Sequence, residues 1–187
     1  MVDTYRQRET GKKSERGTAV VEFSLVFMFL LTIALGGFEF GMAFRDSLAV
    51  SSAAREAARI GGAVGNRTSP NADCTILEAA AGALQAIAGN QVAELWIYKS
   101  DTIGTVTTTR NVFRPSQPTD NPASLVCGTW FPMSTSWAPA TRDSLGATRD
   151  WLGVKIQYDH DWQTGFLWWN GSSRWVEDAV MHLEPSL

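Results

Sequence analysis

Residues Thr18 to Phe38 read TAVVEFSLVFMFLLTIALGGF, an apolar run of 21 residues whose one formal charge is Glu22. As a helix the run is about 32 Å long, enough to cross the hydrocarbon core of a bilayer. A core helix of a soluble protein is the alternative. Such helices are seldom apolar on every side over this length. The run therefore fixes a membrane-spanning helix near the N-terminus, and the rest of the chain must be arranged around it.

The flanks differ in charge. Met1 to Gly17 holds five basic and three acidic residues, whereas the remainder holds eleven basic and sixteen acidic ones. Basic residues before the span place the N-terminus in the cytoplasm and the following body outside, by the positive-inside rule. The expected location is the inner (cytoplasmic) membrane, crossed once. A cleaved secretory signal is the rival. The sequence at the end of the run, Gly36-Gly37-Phe38-Glu39-Phe40-Gly41, offers no A-x-A cleavage site. A net charge of −3 and a pI near 5.4 argue against a nucleic-acid-binding protein whose affinity comes from a basic face.

The start of the run is more specific. Arg16-Gly17 is followed by Thr-Ala-Val-Val-Glu-Phe, with Glu22 as the fifth residue after the glycine. This resembles a type IV prepilin processing site. The resemblance implies cleavage between Gly17 and Thr18 by a membrane-embedded prepilin peptidase, with the apolar helix kept on the mature chain. It also implies that the new α-ammonium of Thr18 pairs with Glu22 of a neighbouring subunit. Independently, a carboxylate inside an apolar span is costly and marks function or a partner. The bland alternative is that Glu22 snorkels to the headgroups.

No proline interrupts Thr18 to Gly65, and alanine is dense, so one helix is expected to continue to about residue 62 and to end at Gly61-Gly62. Gly37, Gly41, Ala49, Ala53, Ala57 and Gly61 fall on one four-residue series broken at Arg45, spacing that lets another helix approach closely. The over-rotation of that step leaves only Ala49 to Gly61 as one local ridge. Alanine's helix preference explains the same residues without a partner. Arg55 and Arg59 are like charges one turn apart, and Glu56 is the local candidate partner for Arg59.

Over residues 16–62 the chain resembles the TadE-like family of minor pilins and pseudopilins from tight-adherence (Tad) pilus systems. The residues carrying the resemblance are Arg16-Gly17, Glu22-Phe23, Glu39-Phe40-Gly41 and Ala53-Ala54-Arg55-Glu56-Ala57-Ala58-Arg59, with a weaker echo at Ala179 to Pro185. His182 stands where that family commonly has a basic residue. The resemblance implies an assembly subunit, not an enzyme. Its partners would be the prepilin peptidase, other pilin or pseudopilin subunits, the inner-membrane assembly platform and membrane lipid.

Residues 66–187 are long enough for one small domain. A second helix is expected from about Thr75 to Ala88, with Thr75 and Glu78 at capping-box spacing. Strands are expected at 92–99, 105–113 and 153–158 from their β-branched and aromatic runs. Residues 175–183 have apolar positions spaced as in a helix, while the family resemblance implies a strand, and a strand is taken here. The expected fold is α+β and pilin-like: a long N-terminal helix, one further helix and a small antiparallel sheet. Residues 114–150 hold five of the seven prolines and read as a long variable loop or as cover for short strands. Cys74 and Cys127 would both face an oxidising compartment, and a disulfide between them is expected, two separately buried thiols being the alternative.

No active site is legible. Asp159-His160-Asp161 places neighbours on opposite faces of a strand, and His182 is the one other histidine, so no metal site and no cofactor is expected. Serine-hydrolase, Walker A and dinucleotide motifs are absent from the sequence. Seven of eight tryptophans fall between 130 and 175. Most such residues fill a core. Trp168-Trp169, beside a glycine, is the candidate for surface contact, for instance with sugars. Two other readings stay open on residues alone: a pseudopilin of a related secretion system, and a signal-anchored periplasmic enzyme or binding module whose helix is only a tether.

Overall fold

The computed structural model describes residues 4–84, 87, 91–101, 104–116, 125–145, 147–165 and 171–185, with side chains from Gly17 onward. Helix α1 is Thr4–Val64 and helix α2 is Ala72–Ala83. The strands are β1 (Val92–Ser100), β2 (Val106–Pro115), β3 (Trp130–Thr135), β4 (Trp151–Asp161) and β5 (Ser172–His182). They form one five-stranded sheet in the order β3-β2-β1-β4-β5, with every neighbouring pair antiparallel. The fold is α+β, as the sequence indicates.

Helix α1 begins before the apolar run because the preceding Arg, Gln, Glu and Lys residues are themselves good helix formers. It also passes through Gly61-Gly62 instead of ending there. Those glycines serve close approach, not capping. A Cβ on Gly61 would lie 2.6 Å from Leu152 Cδ2, and one on Gly62 would lie 2.9 Å from the His182 carbonyl oxygen. The Gly62 carbonyl in turn accepts a 2.7 Å hydrogen bond from the Glu184 amide, tying the helix to the chain after β5.

Helix α2 starts earlier than the capping-box spacing suggests. Asn71 is its N-cap, and the Asn71 side chain accepts from the Asp73 amide at 2.9 Å. Asn is among the strongest N-cap residues and takes the role ahead of Thr75. Glu78 is left free to accept from the Cys127 amide at 3.4 Å. The helix also ends earlier than the expected Ala88: its last residue is Ala83, and Leu84 caps it, its amide donating to the Ala80 and Ala81 carbonyls.

The strands alternate. Leu95 and Ile97 of β1, Phe113 of β2, and Leu152, Val154 and Ile156 of β4 face the helices. Each buried aliphatic side chain adds about 1.5–3 kcal/mol. Ala53, Ala54, Ala57 and Ala58 of α1 meet Ile76, Leu77, Ala80 and Ala81 of α2 in the same core, all nearly or fully buried. On the other face of the sheet the Tyr98 ring lies over Gly153, where any Cβ would strike it, and its hydroxyl donates to Asp178 at 2.9 Å. Burial there, with Asp178 beside it, pushes the Tyr98 hydroxyl well above its ordinary range. Arg110 and Lys155 flank the Trp96 ring at 4.3 and 5.4 Å from its centroid.

Part of the proline-rich stretch is ordered. It supplies β3 and two short 3-10 turns, Cys127–Thr129 and Pro139–Thr141. Cys74 and Cys127 are bonded, with 4.9 Å between their Cα atoms, joining α2 to the chain just before β3.

Candidate functional site

The helix divides into two parts that meet at Glu39. Below it, the apolar run is bare: Val20, Phe23, Phe27, Leu30 and Ile33 are all more than half exposed. The helix is long and apolar enough to cross a membrane, and none of its most apolar window is buried in the protein. Ser24 and Thr32 donate to the Val20 and Met28 carbonyls at 2.8 Å, so their hydroxyls are satisfied within the helix. Such back-bonding is what hydrocarbon surroundings demand. Gly17 and Glu22 sit at the head of this bare stretch, and Glu22 is exposed. Side chains added at Gly17, Gly37 or Gly41 would meet nothing within 4 Å.

Above Glu39 the helix is clasped by the domain. Glu39 is fully buried, and its carboxylate accepts from the backbone amides of Gln163 (3.2 Å) and Thr164. These amides belong to the turn after β4. Seven residues further along the helix, buried Asp46 meets His160 Nδ1 at 2.8 Å. Ser47 donates to Glu177 of β5 at 2.8 Å. His160 is enclosed by Trp162 and Trp175, ring centroids 4.9 and 5.8 Å away, and its Nε2 is buried with no hydrogen-bond partner among the described residues. Burial, with Glu177 and Asp46 nearby, pushes the neighbouring Tyr158 hydroxyl up to about 12. Removing one partner of such a buried polar contact leaves the other without its hydrogen bond, which costs about 1–3 kcal/mol. Together these contacts join one face of α1 to β4, to the turn after it and to β5.

The small-residue series splits at the same place. Gly37 and Gly41 are open, Ala49 is half-buried, and Ala53, Ala57 and Gly61 are buried against the chain's own α2 and sheet. Glu56 and Arg59 form a two-pronged ion pair at 2.7 and 2.9 Å. His160 and Asp159 do face opposite ways: His160 points to Asp46, while Asp159 pairs outward with Arg174 at 2.9 Å, which lowers its pKa. His182 stacks on Trp151 with 3.4 Å between ring centroids. Trp168 and Trp169 lie outside the described residues.

Residues 17–59 match the family model described as TadE-like protein. Over that segment the chain is similar to TadE-like proteins. The match associates the protein with Tad-type pili and with interactions among pilus subunits, and it agrees with an N-terminal helix that anchors in a membrane. No curated protein and no solved structure matches the chain. The match ends inside α1: it covers Glu39, Asp46 and Ser47, the helix side of the clasp, while their partners on β4, β5 and the turn after β4 lie beyond it.

Sequence reasoning singled out Glu39 by resemblance but gave it no role, and it passed over Asp46, Asp73 and Arg142. A signal existed for the first two. A carboxylate flanked by Phe38 and Phe40, and another seven residues later among Ala, Phe and Leu, repeat on one face of the helix. Charges on an otherwise apolar face need a buried partner.

Proposed function

We propose that this protein is a minor pilin or pseudopilin of a Tad-type pilus system. It is inserted in the inner membrane with its N-terminus in the cytoplasm, cut after Gly17 by a prepilin peptidase, and assembled with other pilin-like subunits through its bare N-terminal helix. The chain acts by assembly, not turnover. Its contributions are the helix 18–38, the Thr18 ammonium paired with Glu22 of a neighbouring subunit, and the outer surface of the domain 66–187.

The observation that carries this reading is the division of α1. One half is packed on the chain's own domain, and in the apolar half that begins at Gly17 and Glu22 none of residues 18–38 is buried. A mere tether needs neither the glycine before the run nor a carboxylate within it. The deciding experiment is mass spectrometry of the mature N-terminus after co-expression with a prepilin peptidase, for wild type and Gly17→Ala. A chain starting at Thr18, lost in the variant, is expected. An intact leader in the wild type would refute the assignment.

A further inference from the structure

The geometry points to a second membrane contact: Trp162, Gln163 and Thr164, directly after β4, rest on the bilayer surface beside the helix, so the domain is held to the lipid headgroups at two places. This rests on the proposal that Thr18–Phe38 spans the membrane.

The direction of the domain carries the inference. Strand β4 runs antiparallel to α1 and close along it. Its end at His160 meets Asp46, while its start at Leu152 meets Gly61. The turn that follows β4 therefore lies at the membrane end of the domain. Its level is fixed by Glu39, one residue past the span, whose buried carboxylate holds the Gln163 and Thr164 amides. Trp162 packs edge-on against Phe40, ring centroids 6.4 Å apart.

Heights along the helix then follow from its rise. Phe40 and Phe44 stand about 3 and 9 Å beyond Phe38. The headgroup layer on each side of a bilayer is roughly 5–8 Å thick. Phe40 and Trp162 fall inside that layer, and Phe44 falls at its outer edge. Phe38, Phe40 and Phe44 are each more than half exposed. Trp and Tyr are the residues enriched at this depth, because one end of each is apolar and the other polar; Trp162 is of this kind, and the phenylalanines beside it extend the apolar surface of the span. The exposed aromatic surface is also continuous with the bare apolar run below it, whose occupant is lipid. A water-facing surface would not favour that continuity. The Trp162 amide donates to the Gly171 carbonyl at 3.0 Å, which brings Gly171 to the same end of the domain. The five residues between Gly165 and Gly171, Phe-Leu-Trp-Trp-Asn in sequence, lie outside the described residues.

The test uses the full chain in vesicles of phosphatidylcholine and phosphatidylglycerol containing nitroxide lipids, labelled at the headgroup or at mid-acyl depth. A fluorophore is attached at Gln163→Cys, at Thr108→Cys near the far end of the sheet, or at Leu30→Cys in the span. All three sites are exposed, and the native cysteines are bonded to each other. Headgroup nitroxide is expected to quench the 163 probe about threefold or more over the 108 probe, given the thickness of the layer. Equal quenching at 163 and 108, with the 30 probe quenched by acyl nitroxide, overturns the second contact and leaves the span intact. An unquenched 30 probe overturns the span and the second contact with it. Self-quenching of the 163 probe that depends on protein density, without lipid quenching, assigns the surface to a second copy and also overturns the inference.

Discussion

Replacing Arg142 by methionine is expected to cost about 3 kcal/mol, and the structure shows why. The guanidinium is buried and lies over the Trp137 ring at 4.6 Å. It donates to the Gly65 carbonyl at 2.7 Å, to the Trp137 carbonyl at 3.0 Å, and to Asp73 of α2. Burial pulls its pKa down, and Asp73 acts against that pull. Removing one member of a buried ion pair typically costs about 3–5 kcal/mol, since the other charge is left uncompensated. The lower end applies because Asn111 still donates to Asp73 at 2.7 Å. With a urea slope of about 2 kcal/mol per molar, the unfolding midpoint would fall by about 1.5 M. The assay is urea unfolding of the full chain in detergent, followed by tryptophan fluorescence. Asp73→Asn should show a similar loss. The double variant should cost at least about 2 kcal/mol less than the sum of the singles, because neither charge is then stranded. Additivity within about 0.5 kcal/mol would refute the reasoning.

Other outcomes follow from the same contacts. Replacing Cys74 and Cys127 together by alanine removes a link across 53 residues, and the chain-entropy relation sets the loss at up to about 4 kcal/mol; a midpoint unmoved by reductant in the wild type would contradict it. Gly153→Val drives a side chain into the Tyr98 ring and breaks its bond to Asp178, so a loss of about 1–3 kcal/mol is expected, checked by thermal unfolding. Burial raises the pKa of Glu94, but hydrogen bonds from Arg114 and Trp96 outweigh it and hold the carboxylate below its ordinary range. Its stabilising effect is therefore complete above the unfolded value of about 4.3 and is lost as pH falls through the lower folded value. Half-exposed Arg114 limits the effect to about 1 kcal/mol or less, so Glu94→Gln should lower stability at neutral pH by up to about that amount, flatten the acid limb of the stability curve and leave the most acid region nearly unchanged.

Much of the fold is legible because its largest elements follow from composition. The apolar run, the alanine-dense continuation and the β-branched stretches each point to one structure, and the extent of β1, β2 and β4 differs from expectation by a few residues. Strand β5 is less plain. Trp175 and Ala179 face the helices, while Val176 and Val180 lie on the other face, so both faces carry apolar residues and the pattern imitates a helix. Strand β3 gives almost no signal. It is an edge strand containing Pro132, exposed on both faces after Trp130, so neither alternation nor hydrophobicity marks it. The clasp was the hardest part to read. Glu39 with the turn after β4, and Asp46 with His160, join positions more than a hundred residues apart, and their pairing depends on how far along α1 the sheet lies.

The way the sheet lies along α1 also decides how the protein bears a load. Strands β4 and β5 run beside the helix, and the bonds at Glu39, Asp46, Ser47 and Gly62 are spaced along its length. A pull on the helix axis stretches all of these bonds together, in shear. A pull across the axis opens them one after another, from the Glu39 end. Forced rupture depends on the rate at which the bonded state opens, and shared loading keeps that rate low. The domain is thus built to follow its helix when the helix is drawn lengthwise, and to peel from it when it is pushed sideways.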